Sequence, residues 1–189
     1  MPPSKRLILA SASPRRARIL ESLGLDFIIR PADADETIHA HETPEAAVRR
    51  LARRKALAHP MAPREVVVAA DTVVVLGARI LGKPSGPREA RSMLRALAGH
   101  THTVATGVAV ASGGRVFTAV DLTRVTFRSM ESKEIARYVL TGEPLDKAGA
   151  YHVEGGGAAF IESIEGSPSN VAGLSVTTVR RLLRKARAL

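Results

Sequence analysis

A carboxylate stands inside a run that should otherwise be a buried strand. Val66 to Ala70 and Val73 to Leu76 are apolar, and Asp71-Thr72 lies between them. A charge in such surroundings costs several kcal/mol unless it is paired or binds a cation. Asp71 therefore either faces a metal ion or a lysine, or caps a turn where the strand ends. Thr72 beside it either offers a hydroxyl to a ligand or is an ordinary strand residue. A second chemical segment is Ser11-Ala12-Ser13-Pro14-Arg15-Arg16. It joins an apolar run to a helical pattern, so hydroxyls and guanidinium groups converge on the positive end of a helix, which is an anion site. The alternative is that Ser13 caps the helix and the arginines are solvated.

Three further features carry chemistry only in combination. Glu36 lies in Asp33-Ala34-Asp35-Glu36, an acidic patch that could hold Mg or Mn through oxygen ligands. Lys55 follows Leu51 by four residues at the apolar edge of a helix, Lys83 stands in a Gly-Lys-Pro turn, and Lys147 follows Asp146 before a glycine-rich stretch. Each lysine taken singly reads as a surface charge. Gly155-Gly156-Gly157 permits close backbone approach but has neither Walker nor dinucleotide-binding spacing. The six histidines show no zinc spacing, and His100-x-His102 reads as structural.

The elements that must position these groups follow from hydrophobic periodicity. Leu7 to Ala10 reads as a buried strand, Pro14 opens a helix stopped by Gly24, and Leu25 to Arg30 reads as a second strand. Thr43-Pro44 starts a helix that runs to about His59, with Val48, Leu51, Ala52 and Ala56 on its apolar side. The Asp71 run reads as a central strand buried on both faces. Further helices are predicted at about 87 to 98, 131 to 140 and 176 to 187. His102 to Ser112 and Arg115 to Phe127 form a hairpin through Gly113-Gly114, and a short strand covers Ala159 to Ile164.

Composition narrows the classes. The chain has 189 residues, 45% apolar and only 3% aromatic, which suits one α/β domain over 1–189 with an aliphatic core and room for two lobes. There is no cysteine, so disulfides, thiolate metal sites and thiol nucleophiles are excluded. No stretch approaches the ~20 apolar residues of a membrane span, and Leu7 to Ala10 is too short for a signal sequence, so a cytoplasmic protein is expected. The net charge of +10 suits polyanionic partners. Much of it is arginine on predicted helices (Arg49, Arg50, Arg53, Arg54, Arg180, Arg181, Arg184, Arg187), which reads as a solvated face. A nucleic-acid-binding module is the rival class, weakened by the scarcity of aromatic stacking platforms.

Taken in order, S-A-S-P-R-R at 11–16, D-E at 35–36, A-R-R-K-A ending at Lys55-Ala56, A-A-D-T at 69–72, G-K-P at 82–84, L-A-G-H-T-H-x-V-x-T-G-V at 97–108, E-P-L-D-K-A-G-A-Y at 143–151 and G-S-P-S-N-V-A-G-L at 166–174 resemble the Maf family. The resemblance implies a mixed, elongated central sheet flanked by helices, with a cleft between two lobes, akin to the inosine-triphosphatase fold. It implies a homodimer in the cytoplasm and removal of unwanted nucleotides by hydrolysis of nucleoside triphosphates between the α and β phosphates. By position, Asp71 matches the general base, with a divalent cation (Mg or Mn) held by Glu36 and Asp71. Glu36, Lys55, Lys83, Asp146 and Lys147 match residues of the family's cleft, and Ser11 and Arg16 match the phosphate-binding turn. Members acting on dTTP and UTP carry Arg after Ser-Pro, Thr after the Asp, and Gln in a Tyr-Gly-x-Gln-Gly segment. Arg15 and Thr72 agree with that branch, whereas Glu154 is the residue of the 7-methyl-GTP branch and His152 replaces the usual Gly of the segment.

Overall fold

A computed structural model describes residues 5–189, and its strands form one seven-stranded mixed sheet. The strands are β1 (Arg6–Leu9), β2 (Phe27–Ile29), β3 (Glu65–Leu76), β4 (Arg79–Leu81), β5 (Thr101–Ser112), β6 (Arg115–Phe127) and β7 (Ile161–Glu165). Their order is β2-β1-β3-β5-β6-β7, with β4 paired antiparallel to β3. β1 runs parallel to both β2 and β3, which requires helical crossovers. These are α1 (Pro14–Glu21) and α2 (Pro44–Ala56); α3 (Pro87–Leu97), α4 (Ser132–Leu140), α5 (Pro168–Val171) and α6 (Val176–Lys185) complete the helices.

The chain divides into two compact units. One comprises residues up to Asp71 together with Thr106–Asp121 and Gly173–Leu189. Its core is small and aliphatic, with Ile8, Ala10, Ala52, Ala56, Val67, Ala69, Ala109 and Ala111 packed together. Small residues let α2 lie close to the strands. A Cβ placed on Gly107 of β5 would come within 2.1 Å of the Val48 carbonyl oxygen, so glycine there sets the depth at which α2 packs. Helix α2 starts as the sequence predicts, with Thr43 Oγ1 accepting the Ala46 N–H at 3.3 Å. It stops at Ala56, short of the predicted His59, which Pro60 holds out of helical backbone.

The other unit, Thr72–Ala105 with Leu122–Ala172, holds the larger core, built on Leu94, Leu97, Phe127, Ile135, Tyr151 and Phe160. The few aromatic residues concentrate there. His102 stacks edge-on against Phe127 at 4.9 Å and Tyr151 at 5.4 Å between ring centroids, and Tyr138 against Phe160 at 5.2 Å. Here the strand predicted from Ala159 begins at Ile161 instead. Gly156–Phe160 winds into a 3-10 turn, because the Ala158 N–H bonds to the Gly155 carbonyl at 3.0 Å and the Phe160 carbonyl is taken by the Arg128 N–H at 2.9 Å. The short elements β4 and α5 were too brief to show a period in the sequence.

His102 supplies a stability prediction. It is buried, its Nε2 lies 2.9 Å from the Tyr151 hydroxyl, and burial lowers its pKa from 6.5 to about 4. The unfolded chain thus takes up a proton near pH 6.5 that the folded chain refuses until about 4. Stability is complete above pH 6.5 and falls as the pH drops toward 4, by up to about 1.4 kcal/mol per pH unit. The carboxylates of Glu42, Glu65 and Glu134, held at about 2 by arginine, add their loss only below their ordinary 4.5. Urea unfolding compared at pH 7 and pH 5.5, above the carboxylate range, therefore reports chiefly the histidine, and His102→Phe should flatten the slope between them.

Candidate active site

The residues singled out by type and spacing separate cleanly between the two units, and each set has its own geometry. In the first unit the centre is Lys55. Positions 48, 51, 52, 55 and 56 of α2 fall on one face and all are buried, so the Lys55 ammonium is carried inward among Val48, Leu51, Ala52 and Ala56. Lys55 is thus no surface charge, contrary to its reading when taken alone. Its Nζ lies 2.5 Å from Asp71 Oδ1 and 2.8 Å from Glu36 Oε1. Asp71 is itself only 6% exposed, in mid-strand rather than at a strand end, and Lys55 is the cation it requires.

Glu36 comes from a loop rather than from a regular element, and arginines of α2 hold that loop in place. Arg54 pairs with Asp35 at 3.1 Å, while Arg50 reaches the Thr37 carbonyl at 2.9 Å and Glu42 at 2.6 Å. Asp35 also accepts from the Thr37 N–H at 2.9 Å, closing a tight turn around Glu36. Arg50 and Arg54, grouped in the sequence with solvated charges, instead position the acidic segment. Their four-residue spacing opposite Asp33-Ala34-Asp35-Glu36 was the available signal. A hollow of about 460 Å³ lined by Asp33, Asp35, Arg50, Arg53, Arg54 and Leu57 includes neither Lys55 nor Asp71.

The Ser11–Arg16 turn belongs to the same unit. Ser13 occupies the cap position of α1 without a side-chain hydrogen bond, so the simple capping reading does not hold. Ser11 organises the turn instead. Its buried Oγ accepts the Ser13 N–H at 3.2 Å and Arg16 Nη1 at 3.1 Å, and with both lone pairs filled its hydroxyl proton is left to donate. Arg16 also donates from Nε to the Gly173 carbonyl at 2.9 Å. Burial holds the Arg16 guanidinium below its ordinary pKa, opposed by the charge of Asp71 and then reinforced by that of Arg15. The influence of Asp71 and Glu36 on Arg16 ties the turn to the carboxylates.

The charges of this cluster decide what it can bind. Two carboxylates on one ammonium leave a net negative centre, flanked by Arg15, Arg16 and the positive end of α1. Carboxylate oxygens are the donor type a hard cation takes, and a helix start with guanidinium groups is the donor type an anion takes. No group of three or more His, Asp or Glu side chains is arranged for a metal among the described residues. The oxygen donors of Glu36 and Asp71 nonetheless suit Mg or Mn, which is commonly held by one or two carboxylates with the rest of its shell from water and phosphate.

The second unit holds Thr72, Lys83, Asp146, Lys147 and Glu154. The Gly149 N–H bonds to the Gly82 carbonyl at 3.0 Å, bringing the Asp146-Lys147 segment beside the Gly-Lys-Pro turn of exposed Lys83. Lys147 is ion-paired with Asp146. Glu154 is exposed and Thr72 half-buried. One carboxylate in this unit went unnoticed in the sequence: Glu143, which accepts the Tyr138 hydroxyl at 2.7 Å. Nothing in its local sequence marks it, since its partners lie five and thirteen or more residues away.

A mixed sheet with a buried Lys-Asp pair and a serine-arginine turn makes this an open-sheet α/β protein. A HAM1 protein from Coxiella burnetii has the same fold, with a TM-score of 0.52 over 96% of this chain and 100% of that one at 15% identity. The family model described as Maf-like protein matches residues 6–186, and the chain belongs to that family. Among similar proteins, a dTTP/UTP pyrophosphatase of Anaeromyxobacter dehalogenans (strain 2CP-C) is 51% identical over 96% of this chain and 94% of its own. One of Myxococcus xanthus (strain DK1622) is 51% identical over 95% and 92%, and one of Pelotomaculum thermopropionicum is 50% identical over 96% of each.

Proposed function

We propose that this protein hydrolyses nucleoside triphosphates, dTTP and UTP foremost, to the monophosphate and pyrophosphate. The observation that carries the proposal is the buried Asp71–Lys55 pair, joined by exposed Glu36, beside the Ser11–Arg16 turn, in a chain about half identical to dTTP/UTP pyrophosphatases. Asp71 accepts the proton of the water that attacks the α-phosphorus. Lys55 holds the Asp71 carboxylate in a single orientation, so Oδ2 is the oxygen left to take that proton. Ser11 and Arg16 grip phosphate oxygens, and Arg15, Lys83 and Lys147 neutralise the charge that gathers on the departing pyrophosphate. Glu36 and Asp71 would hold Mg or Mn, which supplies further neutralisation of the polyphosphate. Arg15, Thr72 and Glu154 face the choice of base, and Asp146 sets the position of Lys147.

A panel of canonical and modified triphosphates assayed for pyrophosphate release with Mg or Mn tests this reading. Release from dTTP and UTP is expected to lead the panel. Absence of release from every triphosphate, combined with steeply salt-dependent DNA binding, would instead point to the nucleic-acid module. Glu154 differs from the Gln of the dTTP/UTP pattern, and a carboxylate can accept from a guanine edge where an amide serves a pyrimidine imide. Glu154→Gln is therefore expected to move the kcat/KM ratio of dTTP to 7-methyl-GTP about tenfold toward dTTP, the worth of roughly one hydrogen bond. An unchanged ranking rejects the role of Glu154. Sedimentation of the purified protein tests the homodimer that the family resemblance implies. No helix of the described residues is long and apolar enough to cross a membrane.

A further inference from the structure

We propose that Glu143 is the positioning residue that fixes the glycine loop carrying Glu154, and through it sets base discrimination; this rests on the function proposed above. Glu143 opens the 3-10 turn Glu143–Asp146 directly after α4. Its two oxygens are both committed to one neighbourhood. Oε1 accepts the Tyr138 hydroxyl at 2.7 Å and the Gly157 N–H at 3.3 Å, and Oε2 accepts the Gly156 N–H at 3.1 Å. Tyr138 extends the network, since its hydroxyl accepts the His152 N–H at 3.0 Å. The loop from His152 to Gly157 is thereby held at both ends, with Glu154 midway between the anchors.

Three consecutive glycines make that anchoring necessary. They have no side chains with which to pack, and ordering them costs more backbone entropy than ordering any other residues. They also make it feasible. A Cβ on Gly155 would lie 2.5 Å from Glu143 Oε2, and one on Gly157 would lie 2.8 Å from the His152 backbone. The carboxylate therefore sits against bare backbone and does the work that side-chain packing does elsewhere. Burial pushes the Glu143 carboxyl up, but the bonds from Tyr138, Gly156 and Gly157 outweigh it, so the group stays ionised and acceptor-only at neutral pH. The turn beneath it is closed by its own backbone bonds, Leu145 N–H to Gly142 and Lys147 N–H to Pro144, both 3.2 Å. Changing the Glu143 side chain thus loosens the glycine loop while sparing the backbone that carries Lys147.

The test uses Glu143→Gln, which keeps one acceptor and turns an amide donor toward backbone N–H groups, and Tyr138→Phe, which keeps the ring against Phe160 and removes only the hydroxyl. Steady-state kinetics with dTTP are compared with those of deoxyribose 5-triphosphate, which has no base, and amide hydrogen exchange is followed at Gly155 to Gly157. The expected result in both variants is a KM for dTTP raised about tenfold with kcat within about twofold, no change for the base-free substrate, and exchange of the glycine amides about tenfold faster or more. Equal losses on both substrates, or unaltered exchange at the glycines, overturn the proposal. If the wild-type protein releases no pyrophosphate from either compound, the proposed activity itself falls, whereas the exchange measurement still reports whether Glu143 holds the loop.

Discussion

Asp71→Asn is expected to lower kcat for dTTP by roughly 10²–10⁴-fold, the range over which a positioned general base contributes. The amide is close to isosteric with the carboxylate and can still accept from Lys55 through its oxygen, so the geometry around the ammonium is retained. What disappears is the proton acceptor and one of the two negative charges on Lys55. Glu36, 2.8 Å from the same Nζ, keeps that ammonium paired, so the variant should remain folded. The KM for dTTP should change much less than kcat, because phosphate binding is assigned to Ser11, Arg16 and the lysines. A kcat near that of the wild type would show that another group takes the proton and that Asp71 serves only to balance Lys55.

Lys55→Met is expected to produce the largest loss of stability. Methionine fills the apolar stripe of α2 but leaves the Asp71 carboxylate, 6% exposed, with no ammonium at 2.5 Å. Removing one partner from a buried pair costs about 3–5 kcal/mol, because the remaining charge is left in a medium that cannot solvate it. Equilibrium urea unfolding measures the loss, and the double variant Lys55→Met with Asp71→Asn discriminates its cause. If the uncompensated charge is responsible, the double variant recovers much of the stability while staying inactive, which in a thermodynamic cycle appears as a coupling of opposite sign to the single losses. Recovery of activity with stability would contradict the catalytic assignment of both residues. A single Lys55→Met variant as stable as the wild type would show instead that water reaches the pair in solution.

The two variants separate what one ion pair does in two currencies. Asp71 needs Lys55 to be buried at all, and burial keeps its carboxylate in one place. In the proposed mechanism the proton goes to the oxygen that Lys55 does not occupy. Glu36, on a loop and 52% exposed, is the adjustable member of the triad, held through Asp35 and Thr37 by two arginines of the same helix that carries Lys55. Helix α2 thus supplies the buried cation with one face and braces the acidic loop with residues at its margin.

Much of this was legible in the residues alone. Periodicity located α2 and its buried face, Thr43 and Pro44 marked its start, and the apolar run around Asp71 identified β3 as a strand buried on both sides, because burial imposes a repeat that local sequence must display. The anomaly at Asp71 could be recognised for the same reason: a charge in such a run requires a partner somewhere. Family motifs then gave Ser11, Arg16, Glu36, Lys55, Lys83 and Lys147 a common purpose that no single residue announced.

What the chain order could not provide was pairing across long separations. Lys55 meets Asp71 sixteen residues away, Arg54 meets Asp35 nineteen residues back, and Arg16 reaches Gly173 across 157 residues. Glu143 binds glycines thirteen and fourteen residues on, within a stretch whose 3-10 winding was not periodic enough to read. Local composition determines which residues must be buried and which helices and strands they form, since those preferences act over a few bonds. Which buried charge neutralises which, and which loop a carboxylate restrains, depends on surfaces that come together only when the strands pair, and the tertiary structure alone decided them.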